Sequence, residues 1–242
     1  MITNFPGKKF LIVIPARGGS KGIKGKNIIP VNGVPLIQYT IEFAKTLKLN
    51  YVLIVSTDSD QIATLSKKLG AECPFLRPKY LSTDFVGDMP VLRHALKRIE
   101  KKNCEKFDYV IMLQPTSPIR VKKQIYAAIK TILKNDFDSV LSISLVEKKY
   151  HPYKQFVLQN KKLKTFSKKS KRITARQQLG DSYIRNGVVY VFNRKFVLNS
   201  NSVYSEKSGY TLLREHTVNI DTLNDLLEFE KYIKSNKNRI HA

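Results

Sequence analysis

The stretch FLIVIPARGGSKGIKGKN, Phe10 to Asn27, joins an apolar run directly to a loop carrying four glycines and four cations. Leu11 to Ile14 has the uninterrupted, β-branched apolarity of a strand covered on both faces, and Pro15 ends its pairing because proline has no N–H to donate. In the turn that follows, Gly18, Gly19, Gly22 and Gly25 permit backbone angles and close approaches that a Cβ would forbid, so successive N–H groups can converge on an anion. Arg17, Lys21, Lys24 and Lys26 add charge, and a guanidinium grips two phosphate oxygens where an ammonium acts as a point charge. A triphosphate suits this chemistry. Two familiar phosphate motifs are excluded: no glycine starts a Walker A pattern, and no two glycines in the loop have the spacing of a dinucleotide fingerprint. A flexible basic turn without a ligand is the plain alternative; the preceding strand and the number of charges stand against it.

Beyond the loop, strands and helices alternate. Leu36 to Leu47 has near-helical apolar spacing, Tyr51 to Val55 reads as a buried strand and Asp60 to Leu69 as a short helix. A strand at Tyr109 to Leu113, a helix at Val121 to Leu133 and a strand at Ser139 to Ser144 continue the rhythm, and Gly187 to Phe192 and Leu223 to Ile233 close it as strand and helix. This predicts an α/β fold, a three-layer doubly wound sheet, mostly parallel, with ligands at the carboxyl ends of its strands. Arg17 to Asn27, Ser56-Thr57-Asp58 and Gln114 to Pro118 fall at those ends and are expected to line one crevice. Between Val146 and Arg185 the alternation gives way to prolines, aromatics and the run KKLKTFSKKSKR. So short a segment seldom buries its own core, so residues 146–185 read as an insertion, a small basic hairpin in need of a partner, within a single domain spanning 1–242.

Composition narrows the class. The chain has 242 residues, 42% of them hydrophobic, enough for one full core. Cys73 and Cys104 make no metal or CxxC pattern and read as reduced thiols. No apolar run reaches the length that spans a bilayer, and the start MITNFPGKK lacks the apolar core of a signal peptide, so a cytoplasmic protein without membrane contact is expected. With 43 Lys plus Arg against 19 Asp plus Glu, the formal net charge is +24. The excess is spread along the chain and no nucleic-acid motif accompanies it, so solvated basic faces are expected rather than a specific nucleic-acid partner.

IPARGGSKGIKGKN resembles the signature of the acylneuraminate cytidylyltransferases, the CMP-sialic acid synthetases and their relatives, and LQPTSPIR, Leu113 to Arg120, resembles that family's second signature. ARQQLGDSYIRNGVVYVF and NIDTLNDL add weaker matches. The resemblance implies a nucleotide-diphospho-sugar transferase-like fold in which CTP is joined to a sialic-acid-like nonulosonic acid, giving the CMP-sugar and pyrophosphate. It implies that Ala16, Arg17, Gly18, Gly19, Ser20, Lys21 and Lys26 hold the phosphates, and that Asn27 and Arg77 contact the nucleoside. It places Gln114, Arg176, Gln177 and Asn186 by the sugar, and makes Arg17, Lys26 and Asp221 the catalytic set. Mg²⁺ is implied on Asp221, with Asn219 as a weaker contact, because the family reads Asp-Ile-Asp where this chain reads Asn219-Ile220-Asp221. The family often has proline where Gly180 stands. It also implies a homodimer built through the insertion.

The same residues have plainer readings. Ser117 before Pro118 is an ordinary helix cap, Asn186-Gly187 a tight turn before a strand, and Asp221 a cap for the last helix. Asp84 and Asp88 read as caps of the helix holding Val91, Leu92 and Leu96. None of His94, His151, His216 and His241 is assigned to catalysis. Two other functions stay open: a pyrophosphorylase acting on a sugar phosphate, and a non-catalytic nucleotide or nucleic-acid binder.

Overall fold

The computed structural model describes residues 5–236; residues 1–4 and His241 lie outside them. The apolar run forms β1 (Phe10–Pro15), whose pleat sends Phe10, Ile12 and Ile14 to one face and Leu11 and Val13 to the other, all fully buried. A ribbon of β2 (Pro30–Val31) and β3 (Val34–Pro35) leads into α1 (Leu36–Lys45), β4 (Tyr51–Ser56) and α2 (Asp60–Lys68). Then come α3 (Asp88–Asn103), β5 (Tyr109–Met112), α4 (Lys122–Asn135) and β6 (Ser139–Leu145). The chain continues through β7 (Phe156–Gln159), β8 (Lys162–Thr165), β9 (Tyr183–Asn193), α5 (Arg194–Asn199), β10 (Ser208–Leu213) and α6 (Leu223–Ser235).

Six strands form one sheet in the order β10-β6-β9-β5-β1-β4, and β9 runs antiparallel to both of its neighbours while the others share one direction. Helices α1, α2 and α4 pack on one face through Ile37, Ile41, Ile62, Ile125 and Ile129, and α3 and α5 on the other through Leu92, Leu96, Ile99 and Val197. The three layers agree with the sequence reading. A third cluster joins the β2–β3 ribbon to α1 and α6 through Val31, Tyr39, Ile220 and Phe229.

Three local readings are corrected. Asn186-Gly187 is no turn: β9 begins at Tyr183 and runs through the pair, with Gly187 at φ +73° where the pairing of β6 and β9 shifts register. Ser117 does not cap a helix, since α4 begins at Lys122 and the Val121 N–H is taken by Gln124 Oε1 at 3.1 Å. The segment between the sheet strands is residues 146–182, because Leu145 and Tyr183 are already cross-strand partners. It leaves and re-enters the sheet at one spot, and Val146 donates to the Ser182 carbonyl at 2.8 Å. Within it, β7 and β8 make an antiparallel hairpin whose turn residues, Asn160 and Lys161, both have positive φ as a tight two-residue turn requires.

Candidate active site

The carboxyl ends of β1 and β5 open on one cleft of about 530 Å³; Ser56, Thr57 and Asp58 after β4, expected to line it, are not on its lining, and Ser56 and Asp58 fasten the first loop instead. Arg17, Ser20, Lys21, Lys26 and Asn27 line it from the first loop, Arg77, Asp84 and Asp88 from the approach to α3, Gln114 and Thr116 from the loop after β5, and Asn219 and Asp221 from the approach to α6. The loop is fastened at both ends. Ala16 donates to the Ser56 carbonyl at 2.9 Å, Gly18 to Asp58 Oδ1 at 2.8 Å, and the buried Asn27 amide to the Arg17 carbonyl at 2.9 Å. Ala16 and Gly18 therefore offer no free amide to a phosphate. The N–H groups of Gly19, Ser20, Lys21 and Gly22 donate to no other described residue, and Ser20, Lys21 and Gly22 line the cleft. Gly22 lets the loop lie against the segment before α6, where a Cβ would come within 2.7 Å of the Asp221 carbonyl oxygen.

The loop cations already face carboxylates. Arg17 and Lys21 both reach Asp84 at 2.7 Å, and hydrogen bonds from Lys21 and then Arg17 hold the Asp84 carboxyl below the usual carboxylate range. Asp84 caps nothing, since α3 starts at Asp88 after Gly87 without a side-chain cap. Asp88 is the first residue of α3, and burial raises its carboxyl although Arg185 and Arg77 pull the other way. Arg77 is 5% exposed; its Nε and Nη2 have no hydrogen-bond partner among the described residues, the nearest acid being Asp58 Oδ1 at 4.0 Å. Burial lowers this guanidinium, with Asp58 opposing. Buried donors left open beside a cleft carry a desolvation cost that acceptors on a ligand would relieve.

At the far wall, Lys26 Nζ bonds Asp221 Oδ1 at 2.8 Å and the Ile220 carbonyl at 3.0 Å. Asp221 does not cap α6. Thr222 and Asp225 form the capping box, with Asp225 accepting from the Thr222 N–H at 2.7 Å and Thr222 Oγ1 from the Asp225 N–H at 3.3 Å. That leaves the Asp221 carboxylate, 63% exposed, turned to the cleft. Asn219 Nδ2 donates to Asp221 Oδ2 at 2.8 Å, and its Oδ1 accepts from Ser117 at 3.3 Å. Asn219 is thus a donor to Asp221 rather than a second acid. No cluster of three or more His, Cys, Asp or Glu suited to a metal occurs among the described residues. One carboxylate with a neighbouring amide still fits Mg²⁺, which takes one or two protein carboxylates and completes its octahedron with phosphate oxygens and water.

A second hollow of about 290 Å³ adjoins the cleft, lined by Ile184, Arg185, Asn186, Gly187 and Tyr190 of β9 and sharing Asp88, Gln114 and Asn219 with it. Asn186 is buried and held by Ser142 and Ser144, at 2.5 and 2.9 Å. Gly187 is required here: a Cβ would collide with Gln114 Oε1 and Ser117 Oγ. Arg120, missed in the sequence reading, is buried beneath this corner. It donates to the Val188 carbonyl at 2.7 Å, to Thr40 Oγ1 at 2.9 Å and to the Gln114 carbonyl, and burial pushes it down to about 9. Arg176 and Gln177, expected beside the sugar, sit on an exposed turn of the insertion and line neither hollow. Asp84 and Asp88, read from sequence as helix caps, and Arg185, given no role, were missed as site residues; a lone acid or arginine has no spacing that marks it.

A glycine-rich, cationic loop crosses the carboxyl ends of the central strands of this doubly wound α/β domain, and the cytidylyltransferase family match makes the chain a nucleotidyltransferase. The solved CMP:2-keto-3-deoxy-manno-octonic acid synthetase, complexed with CTP, shares this fold with a TM-score of 0.71 at 15% identity, over 94% of this chain and 99% of its own. The cytidylyltransferase family model matches residues 11–240, and the chain belongs to that family. It is 35% identical over 227 residues to the post-translational flagellin modification protein B of Campylobacter coli, covering 93% of this chain and 95% of that one. It is 34% identical to the CMP-N,N'-diacetyllegionaminic acid synthase of Campylobacter jejuni, over 86% of this chain and 88% of the relative. A pseudaminic acid cytidylyltransferase from the same species is 32% identical, over 93% and 96% of the two chains.

Proposed function

We propose that this protein transfers CMP from CTP to a nonulosonic acid of the sialic, legionaminic or pseudaminic type, releasing pyrophosphate. The observation that carries this reading is the pair of adjoining hollows: one lined by the cationic loop, the other by amides and an arginine, sharing Asp88, Gln114 and Asn219. The relatives' names, which specify CMP-legionaminate and pseudaminate chemistry, support the same acceptor class.

In this reading the triphosphate lies on the free amides of Gly19 to Gly22 and takes over Arg17, Lys21 and Lys26 from their carboxylate partners. Arg77 offers its open donors to the nucleoside, with Asn27 keeping the loop in shape. Gln114 and Asn186 orient the sugar so that its anomeric hydroxyl attacks the α-phosphate in line with departing pyrophosphate. Fixed cations that meet the growing charge do most of the catalytic work in such a transfer. Asp221 would hold Mg²⁺ with help from Asn219, and the ion would neutralise phosphate charge when bound.

A homodimer completes the proposal. The hairpin exposes the cross-strand pair Leu158 and Leu163, 81% and 69% accessible, together with Phe156 and Phe166. A lone two-stranded hairpin is marginal in water, and a second copy would cover this apolar face and bring the Arg176 turn into company. No described helix is long and apolar enough to cross a membrane; a CTP-consuming enzyme is placed in the cytoplasm, where its nucleotide is found.

The test is pyrophosphate release from CTP and Mg²⁺ with a panel of nonulosonic acids. The wild type is expected to turn over at least one of them, and Arg17→Ala to lower turnover and raise the CTP requirement together. No release with any acid would overturn the reading.

A further inference from the structure

We propose, building on the function above, that Arg185 is the residue that receives the acceptor's carboxylate. In a 2-keto sugar acid the carboxyl carbon is bonded directly to the anomeric carbon, so the carboxylate lies one bond from the carbon that bears the attacking oxygen. Its partner must therefore line the hollow bordering the nucleotide cleft, not a more distant surface. Arg185 does so, next to the buried Asn186 and across from Gln114. It is the one Lys or Arg on that lining, and its side chain makes no ion pair or hydrogen bond with another described residue. Both Arg185 and Arg176, the cation the family resemblance brought forward, are exposed, but only Arg185 is on the lining of this hollow.

The backbone gives Arg185 a fixed base. β9 holds it opposite Ile143, and the buried Asn186 anchors the next residue through two serines. A guanidinium on a strand, with its N–H fork free, matches a carboxylate in two parallel hydrogen bonds. Asp88 shares the hollow and is the acid that Arg185 faces there. The incoming carboxylate would compete with Asp88 for this arginine, which favours an acceptor that presents its charge close to the reacting centre.

The experiment compares wild type, Arg185→Gln and Arg185→Lys in the pyrophosphate assay, with CTP and the acid varied separately. Arg185→Gln is expected to raise KM for the acid about 10- to 100-fold while KM for CTP stays within about twofold, the size of a lost charged hydrogen-bond pair. Arg185→Lys should fall between, and it carries the test if the glutamine variant fails to fold. As a readout specific to charge, the acid's methyl ester is used as a competitive inhibitor: wild type should bind it more weakly than the acid, and Arg185→Gln should lose that preference. An unchanged acid KM and an unchanged acid-over-ester preference in active Arg185→Gln would overturn this proposal and leave the proposed reaction standing. A wild type inactive with every nonulosonic acid would overturn both.

Discussion

Asn219 donates its amide to Asp221 at 2.8 Å, so this wall of the cleft, where Mg²⁺ is proposed to bind, carries one carboxylate. Replacing it with aspartate sets two carboxylates side by side, which raises the pKa of one of them and gives a divalent cation a second charged ligand. Asn219→Asp is accordingly expected to lower the half-saturating Mg²⁺ concentration about 3- to 10-fold and to move the acid limb of activity to higher pH, read by Mg²⁺ and pH titrations. A second residue-level expectation concerns Cys73. Its thiol is buried against the Val55 carbonyl, and burial pushes it up to about 11, whereas Cys104 is exposed. An unfolded chain ionises this thiol near pH 8.5 and the native one does not, so stability falls as pH rises from about 8.5 toward about 11. At pH 8 an alkylating reagent should label one thiol per native chain and two after denaturation, counted by intact mass.

Among the elements, the segment Leu113 to Arg120 owes its shape to a buried guanidinium. Arg120→Ala would leave the Val188 and Gln114 carbonyls and Thr40 Oγ1 without their donor. The expected cost is about 2–4 kcal/mol by denaturant unfolding, with KM for the acid rising more than KM for CTP because Gln114 loses its support. β1, β4 and β5 could be read from sequence because burial leaves nearly unbroken apolar runs, and β6, SVLSISL, because its β-branched and apolar residues alternate with serines. β10 could not: it is an edge strand, half-exposed along most of its length, and its SGYTLL has no clean period. Helix α5, with six residues, is too short for a helical period to register. The start of β9 was hidden because Tyr183 to Arg185 are exposed, which made Asn186-Gly187 look like the beginning. The cationic loop was legible from its glycines and charges after a buried strand, but Asp84 reaches it, and Asp88 and Arg185 reach the neighbouring hollow, only through the fold, and each has an ordinary local reading.

For the whole molecule, the insertion attaches through one cross-strand pair, Leu145 and Tyr183, so the sheet does not depend on it for its register. Leu158→Ser with Leu163→Ser is expected to yield monomers in sedimentation velocity at micromolar concentration while leaving the far-UV spectrum and thermal midpoint of the core close to wild type. An unchanged sedimentation coefficient would place the subunit contact elsewhere or deny it. The net charge of +24 acts differently, as a diffuse field that attracts polyanions in a salt-sensitive way.

That field has less hold over the nucleotide than the charge count implies. Arg17 and Lys21 share the one carboxylate of Asp84, and Lys26 pairs with Asp221. An arriving triphosphate exchanges with tethered side-chain anions rather than setting free a matching number of mobile counterions. The entropy that usually makes polyanion binding collapse in salt is largely missing from this step. Nucleotide loading should therefore tolerate ionic strengths at which the protein's loose hold on other polyanions has already gone.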